Sequence, residues 1–259
     1  MKERDKVDRL AIASKIAKEA GEYAKKRFLD RASLGLSFKG PQDFLTEVDG
    51  QVEALIFRQL KEIFPKDSLI GEESGGNIDT NSWFIDPIDG TANFARGLPQ
   101  FCISIAYLKE KKIELGIIYD PMRDELFSAA RGKGAHLNGK KIQVSNNLDI
   151  SQSVIELGWS PRRPRKNYLD LVDRTLSQGA SFRRGGSGAL ALAYVADGRQ
   201  DGYCELHMYP WDALAGLLLV QEAGGWINDY AKSDTLMQGA MVIAATPGIK
   251  SFLLKAING

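Results

Sequence analysis

The chain has 259 residues, of which 44% are hydrophobic and 26% are charged, the balance of an ordinary globular protein with a sizeable core. Its formal net charge of +1 gives no reason to expect nucleic acid or an anionic membrane as a partner. The N-terminus lacks the apolar core of a signal peptide, and no apolar run approaches transmembrane length, so we expect a cytoplasmic protein. Cys102 and Cys204 lie far apart in apolar surroundings, which favours reduced core thiols, and two histidines are too few for a His-rich zinc site.

The first half of the chain predicts two helices followed by strands. Apolar residues at spacings of three and four indicate a long helix between Leu10 and Phe28. A second helix is predicted from about Asp49 to Ile63, where Pro65 stops it. Strand-like segments follow: SLIG, SWFID ending at Asp86, FCISIAYLKEKKIELGIIYD with a hairpin near residues 110–112, and ELFSAARGKGAHLNGKKI with turns at residues 132–134 and 138–139.

The second half has a different rhythm. SVIELGWS predicts a strand, and NYLDLVDRTLSQG predicts a helix that ends at Gly179. SFRRGGSG is typical of a glycine-rich turn before the apolar helix ALALAYVADG. The strand QDGYCEL, the helix WDALAGLLLVQEAGG, the segment WIND, the strand MVIAATP and the helix IKSFLLKAING complete the chain.

A polar patch at residues 145–147 separates the two patterns. We therefore expect an N-terminal α+β half at residues 1–145 and a C-terminal α/β half at residues 146–259, joined in one compact two-lobed unit. Helices and strands alternate without a strict βαβ rhythm, which predicts an α+β layered fold with mixed sheets.

Acidic residues recur where predicted elements begin or end, which is where loops gather into sites. Asp49 begins the second helix, Glu72 follows SLIG, Asp86 and Asp89 bracket Pro87-Ile88, and Asp212 precedes an apolar helix. Carboxylates held close together repel unless a positive charge compensates them. Hard cations such as Mg²⁺ take oxygen ligands, so an acidic set with little histidine or cysteine favours Mg²⁺ or Mn²⁺ over zinc.

Each acid also has a structural interpretation when it is taken alone. Asp49 and Asp212 could each be a helix N-cap, Glu72-Glu73 could be a solvated loop, and Asp89-Gly90 is an ordinary turn signal. The string DPIDGTANF as a whole, with the other acids in a compatible order, favours a functional site.

Three segments carry a family resemblance that covers nearly the whole chain: GEES at residues 71–74, WFIDPIDGTANF at 83–94 and WDALAGLLLVQEAGG at 211–225. With them the chain resembles the inositol monophosphatase family of Mg²⁺-dependent, lithium-sensitive phosphatases. The resemblance implies a layered αβαβα sandwich of the inositol monophosphatase and fructose-1,6-bisphosphatase type, a homodimer, and roughly two or three Mg²⁺ ions per site, with Mn²⁺ as an alternative.

The resemblance also implies roles for the acids and their neighbours. The metal ligands would be Glu72, Asp86, the backbone carbonyl of Ile88, Asp89 and Asp212. Asp49, Thr91 and Glu72 would act in catalysis, with the Thr91–Asp49 pair orienting a metal-activated water. The amides of Gly90 and Thr91 would face the phosphate, in agreement with the attraction of anions to helix N-termini.

The alcohol part of the substrate would meet a second group of residues. Glu205 lies seven residues before Asp212, where the family has a glutamate that bonds sugar-like hydroxyls. Gly186-Ser187-Gly188 matches a substrate loop whose usual form is Gly-Thr-Ala, and Asn93 is a further candidate. Gly188 departs from the usual pattern.

The reaction implied is hydrolysis of inositol 1-phosphate to inositol and phosphate. Histidinol-phosphatase, fructose-1,6-bisphosphatase, 3'-phosphoadenosine 5'-phosphate phosphatase and a regulatory binding protein on the same scaffold remain open. The partner expected is a small phosphorylated alcohol or sugar, with no membrane involved and nucleic acid not favoured. The basic segment PRRPRKNY at residues 161–168 indicates either a solvated loop or a nucleic-acid contact.

Overall fold

The structure is a computed structural model, which describes residues 8–30, 36–40, 43–230 and 236–258. The helices in those ranges are α1 (Arg9–Leu29), α2 (Glu47–Ile63), α3 (Thr91–Arg96), α4 (Arg165–Ser177), α5 (Gly188–Ala196), α6 (Pro210–Glu222) and α7 (Lys250–Asn258). None of them is both long enough and apolar enough to cross a membrane.

The strands form two sheets and a separate antiparallel pair. The pair is β1 (Leu36–Gly40) with β2 (Asp43–Thr46). The seven-stranded sheet has the order of its numbering: β3 (Ser68–Gly71), β4 (Asn81–Asp89), β5 (Cys102–Lys109), β6 (Lys112–Asp120), β7 (Glu125–Ala130), β8 (Ala135–Leu137) and β9 (Lys140–Lys141). The five-stranded sheet has the spatial order β11 (Ser181–Arg183), β10 (Val154–Gly158), β12 (Gly202–Met208), β14 (Ala240–Ala245) and β13 (Trp226–Ile227).

The helices and sheets stack in five layers. α1 and α2 pack on one face of the seven-stranded sheet, and α5 and α6 lie between the two sheets. α4 and α7 cover the outer face of the five-stranded sheet. The predicted α+β fold with an αβαβα sandwich is confirmed.

The central layer is apolar all round because both of its faces are covered. In α5, seven residues of GALALAYVA are buried, and α6 is buried continuously from Ala213 to Val220. Glycines allow the close approach of this layer. A Cβ on Gly116 would lie 2.5 Å from the Ala215 carbonyl oxygen, and a Cβ on Gly216 would collide with Leu192. This packing fixes α6, whose first turn carries Asp212.

Several predicted elements are confirmed, and some boundaries differ. The hairpins at residues 110–112, 132–134 and 138–139 are present, and both cysteines are buried and free. The strand predicted to end at Asp86 instead continues to Asp89, because a bulge accommodates Pro87. SFRRGGSG is not wholly a turn, because Ser181–Arg183 adds a parallel edge strand to β10.

The two sheets are built from different parts of the chain. The seven-stranded sheet lies within residues 68–141 and the five-stranded sheet within residues 154–245. Helices α5 and α6, from the second part, also pack against strands of the first. The division into halves at residue 145 stays a prediction.

Candidate active site

Three acids meet where β3, β4 and α6 converge. Glu72, Asp86 and Asp212 each offer a carboxylate oxygen within 4.8 Å of the others. β3 and β4 are parallel, and the Glu72 amide donates a 3.1 Å hydrogen bond to the Ile85 carbonyl, so Glu72 lies beside Asp86. Asp212 arrives from the central layer in the first turn of α6. The fold therefore brings together three acids that are up to 140 residues apart (212 − 72) in the sequence.

A bulge in β4 places Asp86 and Asp89 on the same face of the sheet. Side chains three residues apart in a regular strand point to opposite faces. Here Asp86 is opposite Ser104 and Asp89 is opposite Cys102, so three steps along β4 match two along β5. The Asp86 carboxylate accepts a 2.9 Å bond from the Ile88 amide inside the bulge. The irregularity thus turns both acids of DPID towards α5 and α6.

Negative charges lie close together in this group. Burial raises the pKa of Asp86 well above its ordinary value, and the negative charge of Glu72 raises it further. Burial and then Glu72 also raise the pKa of Asp212. Three acids this close together, one of them buried and two half-buried, become more favourable when a cation joins them. Three carboxylates and no nitrogen or sulfur form the ligand chemistry of Mg²⁺ or Mn²⁺, so these residues fit the implied metal.

Thr91 and Asp49 form the pair that the family resemblance implies. The Thr91 hydroxyl lies 3.0 Å from Asp49 Oδ1 and 2.9 Å from the Ile88 carbonyl oxygen. Asp49 is fully buried. The predicted helix start at Asp49 is wrong by two residues. α2 begins at Glu47, and Asp49 faces inward from the third position of the helix. The N-cap alternative for Asp49 is therefore wrong.

The cap interpretation of Asp212 holds only in part. Asp212 occupies the third position of α6, and its carboxylate accepts a 3.3 Å bond from the amide of Tyr209, the N-cap residue. The same side chain belongs to the group of three acids. One side chain thus both stabilises the start of α6 and faces the site.

Gly90 allows the sharp turn from β4 into α3. Its φ of +100° is unfavourable for other residues, and a Cβ there would lie 3.0 Å from the Gln100 carbonyl oxygen. The amides of Gly90 and Thr91 come at the start of this short helix, where no intrahelical acceptor exists. Contact of these two amides with phosphate stays a prediction.

A cavity of about 150 Å³ lies next to the acids, and we call it the alcohol side because the family resemblance implies that the alcohol binds there. Asp89, Asp212, Glu205 and residues 186–188 line it. Glu205 accepts a 2.6 Å bond from the Tyr203 hydroxyl, and burial raises the pKa of Glu205 to about 7. Gly158 is required beside it, because a Cβ there would collide with the Glu205 carboxylate. The side chain is thus held in a tight slot that opens to the cavity.

Asp89 connects the acids to the loop on the alcohol side. It lies outside the compact group of three, and its Oδ2 accepts bonds from the Ser187 hydroxyl at 2.5 Å and the Ala189 amide at 2.8 Å. Its Oδ1 lies 3.3 Å from the Gly188 amide. Burial raises the pKa of Asp89, and the bonds from Ser187 and Ala189 oppose that rise. Asp89 therefore fixes the start of α5 from across the site.

Asn93 holds the same loop through its amide. Nδ2 donates at 2.8 Å to both the Gln100 and the Gly185 carbonyl oxygens, and the side chain is buried. Asn93 is not among the described residues that line the cavity, so its contact with a substrate stays a prediction.

Two buried glutamates that the sequence analysis did not select also bond backbone amides of the site loops. Glu53 accepts 3.0 Å bonds from the amides of Glu73 and Ser74, and Glu156 accepts a 2.7 Å bond from the Gly185 amide. The signal was available in both cases. Glu53 shares the apolar stripe of α2 with Ile56 and Leu60, and Glu156 interrupts the apolar strand VIEL.

Comparison with known proteins gives a consistent assignment. The model of the "Inositol monophosphatase family" matches residues 5–259. The Nus factor SuhB of Escherichia coli strain K12 is 39% identical over 250 residues, covering 95% of this chain and 94% of that protein. The extragenic suppressor protein suhB of Bartonella henselae superposes with a TM-score of 0.89 at 35% identity, covering 95% of this chain and 97% of that one.

A solved structure of similar fold contains a ligand. The structure of "Inositol monophosphate bound SaIMPase-II" matches with a TM-score of 0.79 at 26% identity, covering 96% of this chain and 94% of that one; inositol monophosphatase - II of that name comes from Staphylococcus aureus. With the family match over nearly its full length and the acids gathered in one site, this chain belongs to the inositol monophosphatase family, whose members are generally Mg²⁺-dependent phosphatases.

Proposed function

We propose that this chain hydrolyses phosphate monoesters with Mg²⁺ and that inositol 1-phosphate is its substrate. The observation that carries the proposal is the meeting of Glu72, Asp86 and Asp212 within 4.8 Å. The Thr91–Asp49 pair supports it, because it supplies a hydroxyl backed by a buried carboxylate. The family match and the SuhB and inositol monophosphatase structures support phosphatase activity in general.

The metal would be held by Glu72, Asp86, Asp89, Asp212 and the Ile88 carbonyl. When bound, Mg²⁺ neutralises charge on the phosphoryl oxygens and lowers the pKa of water. Asp86, the first acid of DPID, has a carboxylate oxygen within 4.8 Å of those of Glu72 and Asp212, so it would help to hold the metal. We expect Li⁺ to inhibit, as the family resemblance implies.

The chain's own residues orient the attacking water. Thr91 Oγ1 lies 3.0 Å from Asp49 Oδ1 and 2.9 Å from the Ile88 carbonyl oxygen, and its hydroxyl has a single proton. When that proton is donated to Asp49, the Thr91 oxygen can accept a hydrogen bond from the attacking water. Asp49 is fully buried, and a carboxylate is a stronger hydrogen-bond acceptor than the backbone carbonyl of Ile88, which favours this direction. Thr91 and Asp49 therefore act on the nucleophile, whichever alcohol leaves.

The phosphate and the alcohol meet different groups. The amides of Gly90 and Thr91 point to the phosphate oxygens, and Glu205 accepts a hydrogen bond from a ring hydroxyl. Residues 186–188 enclose the alcohol within a cavity of about 150 Å³. Glu205 and Asn93 thus select the alcohol, and the protein acts as a cytoplasmic homodimer on a small phosphorylated polyol.

A second candidate is a regulatory binding role on the same scaffold. The similar E. coli protein is named a Nus factor, and the segment at residues 161–166 places Arg162, Arg163 and Arg165 on the surface. A role in binding would leave nucleic acid as a partner, against the expectation from net charge. The two roles are not exclusive, because the basic segment and the acids occupy different residues.

Phosphate release from a panel of esters tests the proposal. The panel contains inositol 1-phosphate, histidinol phosphate, fructose 1,6-bisphosphate and 3'-phosphoadenosine 5'-phosphate, each with Mg²⁺ and with excess chelator. We expect the highest kcat/KM with inositol 1-phosphate and loss of turnover in chelator. Faster hydrolysis of another ester would identify that ester as the preferred substrate in place of inositol 1-phosphate. Undiminished turnover in chelator would reject the metal-dependent reaction.

A further inference from the structure

Glu156 lies outside the proposed metal ligands, yet it borders the cavity on the alcohol side. It sits in the middle strand segment of β10, with only 3% of its surface exposed. Both of its oxygens are engaged: Oε1 accepts a 2.7 Å bond from the Gly185 amide and Oε2 accepts a 2.8 Å bond from Gln200 Nε2. A buried carboxylate with two specific donors is kept in one orientation.

The substrate loop, residues 185–188, is held between two buried carboxylates. Glu156 bonds its first amide, and Asp89 bonds the Ser187 hydroxyl near its end. Between these points Gly186 has a φ of +82°, and a Cβ there would lie 3.0 Å from Asn93 Nδ2. A Cβ on Gly185 would collide with Gln100. The loop therefore has one tight path that only these glycines and these anchors permit.

We propose that Glu156 is a positioning residue that fixes the substrate loop for the alcohol through the Gly185 amide. This inference rests on the proposed function of the same site. Loss of the acceptor would leave the half-buried Gly185 amide without its acceptor in the protein and free the loop at the end away from Asp89. Thr91 lies in α3 and Asp49 in α2, so we expect the attacking water to be much less affected than the alcohol.

The neighbouring Gln200 allows the hydrogen bond that Glu156 accepts to be tested separately from the negative charge of Glu156. Gln200 Oε1 is buried without a hydrogen-bond partner among the described residues. In Glu156→Gln, the new side chain would still accept from the Gly185 amide with its oxygen. Its NH₂ would donate to Gln200 Oε1 once the Gln200 amide rotates. Glu156→Gln therefore preserves the anchor without the charge, whereas Glu156→Ala removes both.

Asp201 offers a matched control in the same sheet. It is buried, and its Oδ2 accepts a 2.9 Å bond from the Val154 amide, away from the substrate loop. Asp201→Ala removes a buried carboxylate that bonds a backbone amide, as Glu156→Ala does. Any general effect of such a loss on stability appears in both variants.

The experiment combines steady-state kinetics with amide hydrogen exchange in wild type, Glu156→Ala, Glu156→Gln and Asp201→Ala. For inositol 1-phosphate we expect Glu156→Ala to raise KM about tenfold, as for one hydrogen bond to a charged group, with kcat within about twofold. With 4-nitrophenyl phosphate, which lacks ring hydroxyls, KM stays within about twofold. Amide exchange at residues 185–188 becomes about tenfold faster in Glu156→Ala, and Glu156→Gln and Asp201→Ala keep the wild-type values there.

Three results would overturn the inference. Equal damage in Glu156→Gln and Glu156→Ala would mean that the carboxylate charge itself meets the substrate. An equal fall in kcat on both esters would assign Glu156 to the reaction chemistry, and unchanged exchange at residues 185–188 would show that it does not anchor the loop. The exchange measurement needs no substrate. A wild-type protein inactive on inositol 1-phosphate would therefore reject the proposed function and leave the anchoring test intact.

Discussion

On the metal side of the site, Asp86 is buried and Asp212 is half-buried beside Glu72. Burial and then the negative charge of Glu72 raise the pKa of both aspartates. On the alcohol side, Glu205 stands in a slot formed by Gly158 and Tyr203, and its pKa of about 7 follows mainly from burial. A cation bound among the acids of the metal side would relieve their repulsion. The alcohol side suits neutral hydroxyls, which need an acceptor and a closely shaped wall.

The two sides are supported in the same manner by buried glutamates outside the proposed ligands. Glu53 bonds the amides of Glu73 and Ser74 on the metal side, and Glu156 bonds the Gly185 amide on the alcohol side. Both place a loop through its backbone, so the loop side chains remain available to ligands. The chemistry of the two sides differs, but the means of positioning them is shared.

Removing one carboxylate from the metal side should have the largest effect. We expect Asp86→Asn to lower kcat/KM about 10³-fold on every phosphate ester, because a shared ligand charge is lost. Without metal the same variant should melt a few degrees higher than wild type, since repulsion among buried acids is relieved. Calorimetry with and without Mg²⁺ measures both states.

Asp120→Asn is the control for that experiment, because Asp120 is a fully buried acid at the end of β6 that bonds Arg123. It should melt lower than wild type and keep the stabilisation by Mg²⁺. A metal-free Asp86→Asn protein less stable than metal-free wild type would contradict the interpretation of repelling acids.

Removal of the Thr91 hydroxyl, which orients the attacking water, should have the second largest effect on activity. Thr91→Ala is expected to lower kcat about 10²-fold on inositol 1-phosphate and on 4-nitrophenyl phosphate alike. Thr91→Ser retains the hydroxyl and should recover most of the rate. A fall confined to inositol 1-phosphate would instead place Thr91 on the alcohol side.

The support of the metal side can be weakened without changing the shape of the side chain. In Glu53→Gln, one oxygen accepts a single amide and the NH₂ faces the other N–H, so the loop carrying Glu72 loses an anchor. We expect Mg²⁺ affinity to fall about tenfold by isothermal titration, a loss typical of groups that orient metal ligands.

Glu222→Gln is the matched control for Glu53→Gln. Glu222 accepts 2.8 Å bonds from the amides of Gly132 and Gly134, in a turn away from the site. It should lose similar stability with unchanged Mg²⁺ affinity. Equal affinity losses in the two variants would show a general effect of stability and not a local one.

The smallest expected effect is the pH dependence of KM, which reports on the alcohol side. The carboxylate of Glu205 ionises near pH 7, so its accepting form prevails above that value. KM for inositol 1-phosphate should fall about tenfold from about pH 6 to pH 8, as the ionised fraction rises from about a tenth to nine tenths. In Glu205→Gln this dependence should vanish, with 4-nitrophenyl phosphate reporting any change common to both substrates.

The raised pKa of Glu205 has the opposite consequence for folding. A rise in pH that favours substrate binding lowers the stability of the folded protein. The folded pKa of Glu205 is raised above its ordinary value of 4.5, so folding favours the protonated form. Its contribution to stability is therefore greatest below about pH 4.5 and is lost as pH rises through about 7. The melting temperature of Glu205→Gln minus that of wild type should grow over this window, and a constant difference would contradict the raised pKa.

The sequence predicted the metal side better than the alcohol side for a physical reason. Asp86, Asp89 and Thr91 lie within six residues, so one contiguous string carries most of the metal side. The β4 bulge that turns the two aspartates to one face could not be read from the string, because it depends on pairing with β5. Local sequence therefore identified the groups but not their directions.

Other parts of the site depend on contacts between distant segments. Glu53 and Glu156 act through backbone amides about 20 to 29 residues away, with separations that no motif specifies. The edge strand Ser181–Arg183 was missed because it is only three residues long and is stabilised by β10. The layered fold was predictable from the family resemblance and the apolar helices α5 and α6, which read as elements covered on both faces.

The central claim is that Glu72, Asp86 and Asp212 hold the catalytic metal. The most direct measurement is anomalous diffraction from crystals of the protein soaked in Mn²⁺. We predict a strong anomalous peak within about 2.0–2.4 Å of oxygens from these three carboxylates, reduced or absent in Asp86→Asn crystals. A peak elsewhere with none among the three acids, or an equal peak in Asp86→Asn, would contradict the account.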